Sequence, residues 1–137
     1  MAWTTPKTDW KDGDYFNIAD YNRILNNEYF VWDLYYKFGY TPSQTPLYPI
    51  GDAIASYSVA RWDSSALFYM GVNCGLMLNG LDIGEYVRIY WNDNTVITAE
   101  KLNTLEGWLL EIYEYFDSRM EGIRRIPFTL GQYKTRI

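Results

Sequence analysis

The chain has 137 residues, of which 48% are hydrophobic and 19% aromatic, and this composition predicts one folded domain and excludes a disordered chain. The net charge of −5 disfavours nucleic acid as the main partner, and the lack of histidine excludes histidine-based nucleophiles and the usual zinc sites. No apolar stretch reaches the about 18 residues that a membrane span needs, and the first residues lack the apolar region of a signal peptide.

A packing unit occurs twice in the sequence, 81 residues apart. Each copy begins with Trp-x-Asp, continues to a residue that caps a helix, and places an asparagine inside that helix. The first copy contains Trp10, Asp12, Asn17 and Asn22, and the second contains Trp91, Asp93, Thr98 and Asn103. The repeat spans residues 10–35 and 91–116, and repetition of this kind indicates architecture before it indicates chemistry.

The first helix is predicted to begin after Asn17 and to end near Phe38. Asparagine is a favoured N-cap, Asp20 suits the positive end of the helix dipole, and Gly39 offers a left-handed stop. Two adjacent apolar stripes along this helix predict that it packs against more than one neighbour.

A proline-containing connector, residues 40–50, follows, and residues 52–60 are compatible with either a short helix or a loop. Asp63 is predicted to cap a helix over residues 64–79. Aligning Asp63 with Asn17 places Asn73 on Asn27, which suggests a degenerate third copy of the unit.

Residues 85–91 are predicted to form a short strand or an extended segment with Val87, Ile89 and Trp91 on one side. Thr98 is then predicted to cap a long helix that ends near Gly122. Its apolar residues are spaced 3, 4, 3 and 4 apart, which is typical of a helix face in a core: Leu102, Leu105, Leu109, Ile112 and Phe116.

The last residues, 123–137, are predicted to form a basic arm with an edge strand over 126–131, because Pro127 cannot lie in a central strand. Residues 119–137 carry a charge of +4 and residues 1–118 carry −9. The charge is that of either a solvated tail or an arm that docks on an acidic neighbour. The residues predicted to bind a partner are Arg124, Arg125, Phe128, Leu130, Tyr133 and Arg136.

The predicted fold is therefore mainly α: a small helical bundle over residues 1–122, with two long helices, one or two shorter ones and extended aromatic segments. The C-terminal β-like arm follows it over residues 123–137.

No catalytic constellation is predicted. Four acidic residues share the last long helix but lie off its apolar face, so we expect them to be solvent-exposed surface charges. They are Glu106, Glu111, Glu114 and Asp117. Cys74 is expected to be a buried thiol, and no phosphate-binding or EF-hand spacing occurs. The sequence therefore predicts no enzyme activity, no metal and no cofactor.

Two further hypotheses concern the polar and aromatic side chains. Asn22 and Asn103 are poor helix formers, and we expect each to hold its own Trp-x-Asp segment against the helix by donating and accepting together. The surplus of Tyr and Trp indicates either aromatic anchors of a permanent assembly or rings that stack on sugars in a glycan-binding module. Assembly is favoured, because no local cluster in the sequence combines aromatic with polar residues.

Three segments resemble one known group of proteins. Residues 5–10 read Thr-Pro-Lys-Thr-Asp-Trp, and residues 16–24 read Phe-Asn-x-x-Asp-Tyr-Asn-Arg-Ile. This opening resembles that of small structural proteins and fibre or tail N-terminal modules in bacteriophages and prophages of Gram-positive bacteria. Residues 91–106 resemble the second helix-opening motif of that family, and residues 124–131 resemble its basic, β-like end.

The resemblance implies a non-enzymatic virion protein that attaches to a tail, baseplate, collar or capsid in several copies. Its expected partners are other virion proteins and copies of itself, and its expected location is the virion, assembled in the host bacterial cytoplasm. In longer relatives such a module anchors a receptor-binding region. Here the chain stops at Ile137, which favours an adaptor, plug or decoration role over direct host recognition.

Overall fold

The computed structural model describes residues 2–40, 47–54, 64–89 and 98–134, with side chains described as far as Met120. Within these ranges the protein has three helices and no strand: α1 (Ile18–Lys37), α2 (Ser64–Leu81) and α3 (Ala99–Lys134). Each helix packs against the other two. The predicted mainly-α bundle is confirmed at this level.

The predicted ends of α1 and the start of α3 are confirmed. Asn17 and Asp20 form a reciprocal capping box, in which each side chain accepts a hydrogen bond from the backbone N–H of the other. Gly39 has a φ of +81°, a left-handed conformation that stops the helix. Thr98 Oγ1 accepts from the Lys101 N–H at 3.2 Å, as expected of a cap. The proposed cap Asp63 lies outside the described residues.

The three helices run in the same direction. Near their starts, Arg23 of α1 hydrogen-bonds to Glu106 of α3, and near the end of α1 the ring of Tyr35 lies 6.4 Å from that of Phe116. The Cys74 thiol of α2 meets the Glu28 carboxyl of α1 halfway along both helices, and Gly80 near the end of α2 lies against the hydroxyl of Tyr35 near the end of α1. Contacts between equivalent turns require parallel helices, so all three helices begin at the same end of the bundle.

The core repeats the same register in every helix. Each contributes five buried side chains at spacings of 3, 4, 3 and 4 residues, the seam of a parallel helical bundle. The α1 set is Tyr21, Ile24, Glu28, Val31 and Tyr35; the α2 set is Leu67, Met70, Cys74, Met77 and Leu81; the α3 set is Leu102, Leu105, Leu109, Ile112 and Phe116. The apolar face predicted for α3 is confirmed.

Extended segments, here called straps, lie in the grooves between the helices. Strap 1 (residues 2–16) contacts α1 through Thr4 and α3 through Trp10. Strap 2 (residues 47–54) contacts α2 through Tyr48 and α1 through Ile54. Strap 3 (residues 83–89) lies between α2 and α3, where the ring of Tyr86 contacts both. Each of the three grooves of the bundle therefore holds one strap.

The predicted C-terminal β-like arm is not confirmed. The α3 helix does not end near Gly122 but continues to Lys134, through the residues for which a strand is predicted. Since α3 has 36 residues and α1 has 20, and since their starts lie at the same level, α3 projects about 24 Å past the end of α1. The projecting part, residues 119–134, is called the α3 extension below.

Residues 85–89 of the predicted extended segment are extended, but the side on which their side chains were predicted to lie was wrong. Val87 is 69% exposed, whereas Ile89 is buried, so the two side chains do not share one side. The reason is that the strap turns Tyr86 rather than Val87 towards the bundle. Trp91 lies outside the described residues. Within the described ranges, no helix combines the length and apolar character needed to cross a membrane.

Candidate interaction sites

Four asparagine side chains hold the first two straps against the helices. Each donates a hydrogen bond from Nδ2 to a strap carbonyl and accepts one at Oδ1 from the N–H of the same strap residue, all at 2.8–3.1 Å. The pairs are Asn27 with Thr4, Asn103 with Trp10, Asn73 with Tyr48 and Asn22 with Ile54. These amides satisfy backbone groups that an extended segment without a neighbouring strand leaves unpaired.

The segments that Asn22 and Asn103 hold are not the ones predicted. Asn103 belongs to the second copy of the repeat but holds Trp10 of the first copy, and Asn22 holds Ile54 of strap 2. The reason is that each strap lies between two helices, so that the start of one helix faces the strap of the next unit. Trp91 and Asp93 lie outside the described residues.

The contacts follow one cyclic rule. The beginning of each strap contacts the helix that follows that strap in the sequence, here called its own helix. The ends of straps 1 and 2 contact the helix on the other side of the groove, which is α3 for strap 1 and α1 for strap 2. For strap 1 the contacts are Asn27 of α1 and Asn103 of α3, and for strap 2 they are Asn73 of α2 and Asn22 of α1. The protein therefore contains three strap-and-helix units, and Asn73 of the suggested third copy holds a strap just as Asn27 does.

Strap 3 occupies its groove without asparagine among the described residues. The ring of Tyr86 packs on Trp108 of α3 with their centroids 5.3 Å apart, and it lies directly against Gly75 of α2. The Arg88 guanidinium lies 5.9 Å from the centre of the Phe68 ring. Rings and one cation therefore take the place of the amides.

Glu106, predicted to face solvent, is completely buried at the junction of strap 1, α1 and α3. Its two oxygens accept hydrogen bonds from Nε and Nη2 of Arg23, both at 3.0 Å, from the Lys7 N–H at 3.1 Å and from Trp10 Nε1. Arg23 also donates to Asp20 at 2.8 Å. A buried carboxylate with this many donors is fully satisfied, so Glu106 locks strap 1 in place.

The charge state of Arg23 fits this role. Burial by itself lowers the pKa of the Arg23 guanidinium, but the hydrogen bonds to Glu106 and Asp20 outweigh it and leave the pKa raised. The arginine therefore stays charged beside the buried carboxylate. Sequence reasoning missed both Arg23 and Glu106. The feature of the sequence that could have revealed them is the position of Glu106, which follows Leu105 on the core-facing part of α3, where a strap can cover an acidic side chain.

A second buried carboxyl lies at the centre of the core. Glu28 is completely buried; one of its oxygens accepts from the Cys74 thiol at 3.3 Å, and the other has no partner among the described residues. Burial raises the pKa of Glu28 well above its ordinary value, and it raises the pKa of the Cys74 thiol as well. Burial therefore favours the neutral form of both groups, and the buried thiol is unsuited to nucleophilic chemistry.

Partly buried aromatic side chains at the edge of the core line a groove on the outer surface of α1. The groove has a volume of about 510 Å³, and its lining includes Tyr29, Phe30, Trp32 and Tyr36. Asp33 and Lys37, which form an exposed ion pair at 3.0 Å, also line it, as does Met120 at the base of the α3 extension. The structure thus forms the mixed aromatic and polar cluster that the sequence does not reveal.

The remaining predicted site residues lie at the surface or beyond the described side chains. Asp12 is exposed on strap 1, and Glu114 and Asp117 are exposed on α3 as expected. Five of the predicted partner-binding residues lie in the α3 extension, where the backbone alone is described: Arg124, Arg125, Phe128, Leu130 and Tyr133. Arg136 lies outside the described residues. No cluster of three potential metal ligands occurs in the described part of the chain.

Comparison with known proteins gives no assignment. No family model, no curated protein and no solved structure matches the chain.

Proposed function

We propose that this protein is a non-enzymatic structural subunit of a bacteriophage virion, an adaptor or decoration protein that docks onto tail, baseplate, collar or capsid proteins. Its docking surfaces are the aromatic groove on α1 and the basic α3 extension. It is assembled in the host bacterial cytoplasm and works in the finished particle.

The observation that supports a structural role best is that the polar side chains facing straps 1 and 2 bind the backbone of those straps. The four strap-holding asparagines and Glu106 all serve to hold the protein's own backbone on the bundle. A polar group that is spent on internal contacts is not available for substrate, and these contacts fix the first two straps on the body. Rigidity of this kind suits a part that must transmit position between its neighbours.

The surfaces that remain support docking. The α1 groove presents several large rings, and Tyr and Trp are enriched where one protein binds another. The C-terminal 19 residues carry a charge of +4, opposite to that of the body. The resemblance of residues 5–27 to phage structural proteins gives these docking surfaces a biological setting.

The test is to locate the protein in purified particles by imaging and mass spectrometry. We expect stoichiometric protein at one defined position and expect deletion of residues 124–137 to reduce its incorporation. The protein that lacks residues 124–137 should keep the melting temperature of the full-length protein, because the deleted residues lie beyond the helical bundle. Particles that lack the protein, or that incorporate the truncated chain normally, would contradict the respective parts of the proposal.

A glycan- or receptor-binding module is the second candidate, and the α1 groove is the observation that favours it. Rings of Tyr29, Trp32 and Tyr36 stand beside the Asp33–Lys37 ion pair in a groove of about 510 Å³. Such a groove offers flat apolar faces together with hydrogen-bonding groups. A glycan array with the purified protein distinguishes the candidates: binding that Trp32→Ala removes and Tyr15→Ala keeps would support the glycan module. Tyr15 is the matched control because its ring is exposed and lies outside the groove.

A further inference from the structure

We infer that Tyr115 is a nucleophilic phenol and a site of covalent acylation, where its oxygen takes the acyl group of an activated donor such as a thioester or an acyl phosphate. The site lies at the end of the bundle, one turn before the α3 extension, and it consists of Tyr115, Tyr40 and Arg119. This reactivity goes beyond the docking role proposed above and does not depend on it.

The end of α1 brings Tyr40 to this site. Gly39, with a φ of +81°, ends the helix, and the Tyr40 N–H then donates to the Tyr35 carbonyl at 3.1 Å. The Tyr40 ring is thereby turned back onto the bundle, where its centre lies 5.3 Å from that of Tyr35 and 6.0 Å from that of Phe116. Its hydroxyl oxygen consequently lies 2.9 Å from that of Tyr115 on α3.

Arg119 brings a second donor to the same oxygen. It follows Tyr115 by four residues on α3, and side chains at this spacing are neighbours on a helix. The central carbon of its guanidinium lies 4.0 Å from the centre of the Tyr115 ring, and Nη2 donates to the Tyr115 hydroxyl oxygen. The Tyr115 oxygen therefore has both a hydroxyl and a cation beside it.

These two donors favour the ionised form of Tyr115. While both phenols are neutral, either hydroxyl can donate to the other, but a phenolate at Tyr115 accepts from Tyr40 and Arg119 together. The hydrogen bond from Tyr40 lowers the pKa of Tyr115, and the hydrogen bond and charge of Arg119 lower it further. The same hydrogen bond raises the pKa of Tyr40. Tyr115 is therefore the phenol of this pair that loses its proton first.

The carboxylates that are near in the sequence lie elsewhere on the helix. Glu114 and Asp117 lie one residue before and two residues after Tyr115, so they face other sides of α3. The carboxyl of Glu111, one turn earlier, lies against Gly84 of strap 3. The charge nearest the Tyr115 oxygen is therefore that of Arg119.

Acyl transfer follows from these groups. The Tyr115 phenol loses its proton to water, and the phenolate oxygen attacks the acyl carbon and forms a new C–O bond. Negative charge then develops on the acyl oxygen, and Arg119 and Tyr40, released from the phenolate, are the donors available to it. The intermediate collapses when the bond to the thiolate or phosphate breaks and that group leaves with the electron pair.

The product is a phenyl ester on Tyr115. The chain contains no histidine, the commonest base for activating water near neutral pH, so nothing in the site resembles the machinery that hydrolyses an acyl-enzyme. The acyl group should therefore persist as a modification of the surface beside the α3 extension.

The first test treats the full-length protein with a limiting amount of N-acetylimidazole and follows each acetylated residue by mass spectrometry. We expect Tyr115 to be acetylated several-fold faster than Tyr15, although Tyr15 is 90% exposed. Hydroxylamine should remove the label, since it cleaves phenyl esters and leaves acetylated lysines intact. Acetylation of Tyr15 at the same rate or faster would overturn the proposal.

Three variants test the two donors, with the rate at Tyr15 as the internal standard. Arg119→Gln should slow acetylation of Tyr115 several-fold, and Tyr40→Phe, which keeps the ring and removes the hydroxyl, should slow it as well. The matched control is Lys11→Gln, which removes one exposed positive charge at the other end of the bundle and should leave the rate unchanged. Equal rates in all three variants would contradict the role of the donors.

A spectroscopic titration provides a readout that needs no reagent. The near-ultraviolet absorbance of phenolate should begin to rise at a lower pH in the wild type than in Tyr115→Phe, whereas Tyr15→Phe should keep the early rise. An early rise that persists in Tyr115→Phe would assign the reactive phenol to another tyrosine.

Discussion

The first two straps and the third one occupy equivalent grooves but are held by different side chains. Asn103 holds Trp10 of strap 1, and Asn22 holds Ile54 of strap 2, each by a pair of hydrogen bonds to one backbone residue. Strap 3 is held instead by the ring of its own Tyr86, which packs on Trp108 of α3. An amide fixes the position of a backbone along the groove, whereas a ring fixes mainly its depth.

The comparison shows that the repeated feature is the placement of a strap between two parallel helices, not one set of residues. Asn27, Asn73 and Trp108 occupy equivalent places on the three helices, each facing the strap of its own unit. The type of residue at this place therefore differs in the α3 unit, where Trp108 replaces the asparagine. The substitutions below measure how much each kind of contact contributes.

The largest effect is expected for strap 1, at Glu106. Replacing Glu106 by alanine leaves the Arg23 guanidinium, the Trp10 indole N–H and the Lys7 N–H without their buried acceptor. We expect the free energy of unfolding to fall by about 3–5 kcal/mol, measured by denaturant titration. Glu114→Ala on the exposed face of α3 is the control and should change it by less than about 0.5 kcal/mol. Equal effects of the two substitutions would contradict the role assigned to Glu106.

The next largest effect is expected for strap 3, where substitutions at two helical glycines can be compared. A Cβ atom at Gly75 would lie 2.5 Å from the ring of Tyr86, whereas nothing lies within 4 Å of a Cβ atom at Gly107. Gly75→Ala should therefore displace strap 3 and destabilise the protein by about 1–3 kcal/mol. Gly107→Ala should stabilise it by about 1 kcal/mol, since alanine is the better helix former. Thermal unfolding of both variants checks the difference, and a Gly75→Ala protein as stable as Gly107→Ala would show that strap 3 is not held there.

The amide contacts are tested by Asn22→Leu and Asn103→Leu. Each substitution leaves one strap N–H and one strap C=O unpaired, and we expect a loss of about 1–3 kcal/mol with a lower melting temperature. Amide hydrogen exchange locates the loss: Asn22→Leu should speed exchange at Ile54, and Asn103→Leu should speed it at Trp10. If amide exchange became faster at the same residues in both variants, or if the melting temperature did not change, the conclusion that Asn22 and Asn103 each hold a different strap would be wrong.

The helices could be predicted from local signals, whereas side-chain environments that a distant segment decides could not. Asn17, Thr98 and the 3-4 spacing from Leu102 act within one turn or one face of a helix, so the predicted helix starts and the α3 seam agree with the structure. Glu106 looked exposed because strap 1, which buries it, lies 96 residues away at Trp10.

The partners of the asparagines were missed for a related reason. A poor helix former inside a helix indicates that its side chain has a task, and this part of the reasoning identified Asn22 and Asn103. Which strap each one meets depends on the parallel arrangement of the helices, and nothing local to Asn22 specifies Ile54. The groove on α1 was missed as well, because its residues spread around the outer surface of one helix and include Met120 from another.

The three units also differ at the centre of the core, where equivalent positions hold Glu28, Cys74 and Leu109. The carboxyl of Glu28 has one thiol donor, whereas that of Glu106 has four donors. For Glu28 the desolvation dominates and raises the pKa. Stability should therefore depend on pH through this residue.

The sign of that dependence follows from the raised pKa. An acid whose pKa is higher in the folded than in the unfolded protein contributes its full stability below the unfolded pKa of about 4.3, and loses it as the pH rises through the folded pKa. Glu28→Gln removes the titration, so the two proteins should differ least near pH 4.5. The variant should then gain relative to the wild type by up to about 1.4 kcal/mol per pH unit. Denaturant titrations from pH 4.5 to 7.5 measure this slope, with the exposed Glu114→Gln as control. A constant difference between Glu28→Gln and the wild type across that range would mean that Glu28 is already ionised in the folded core.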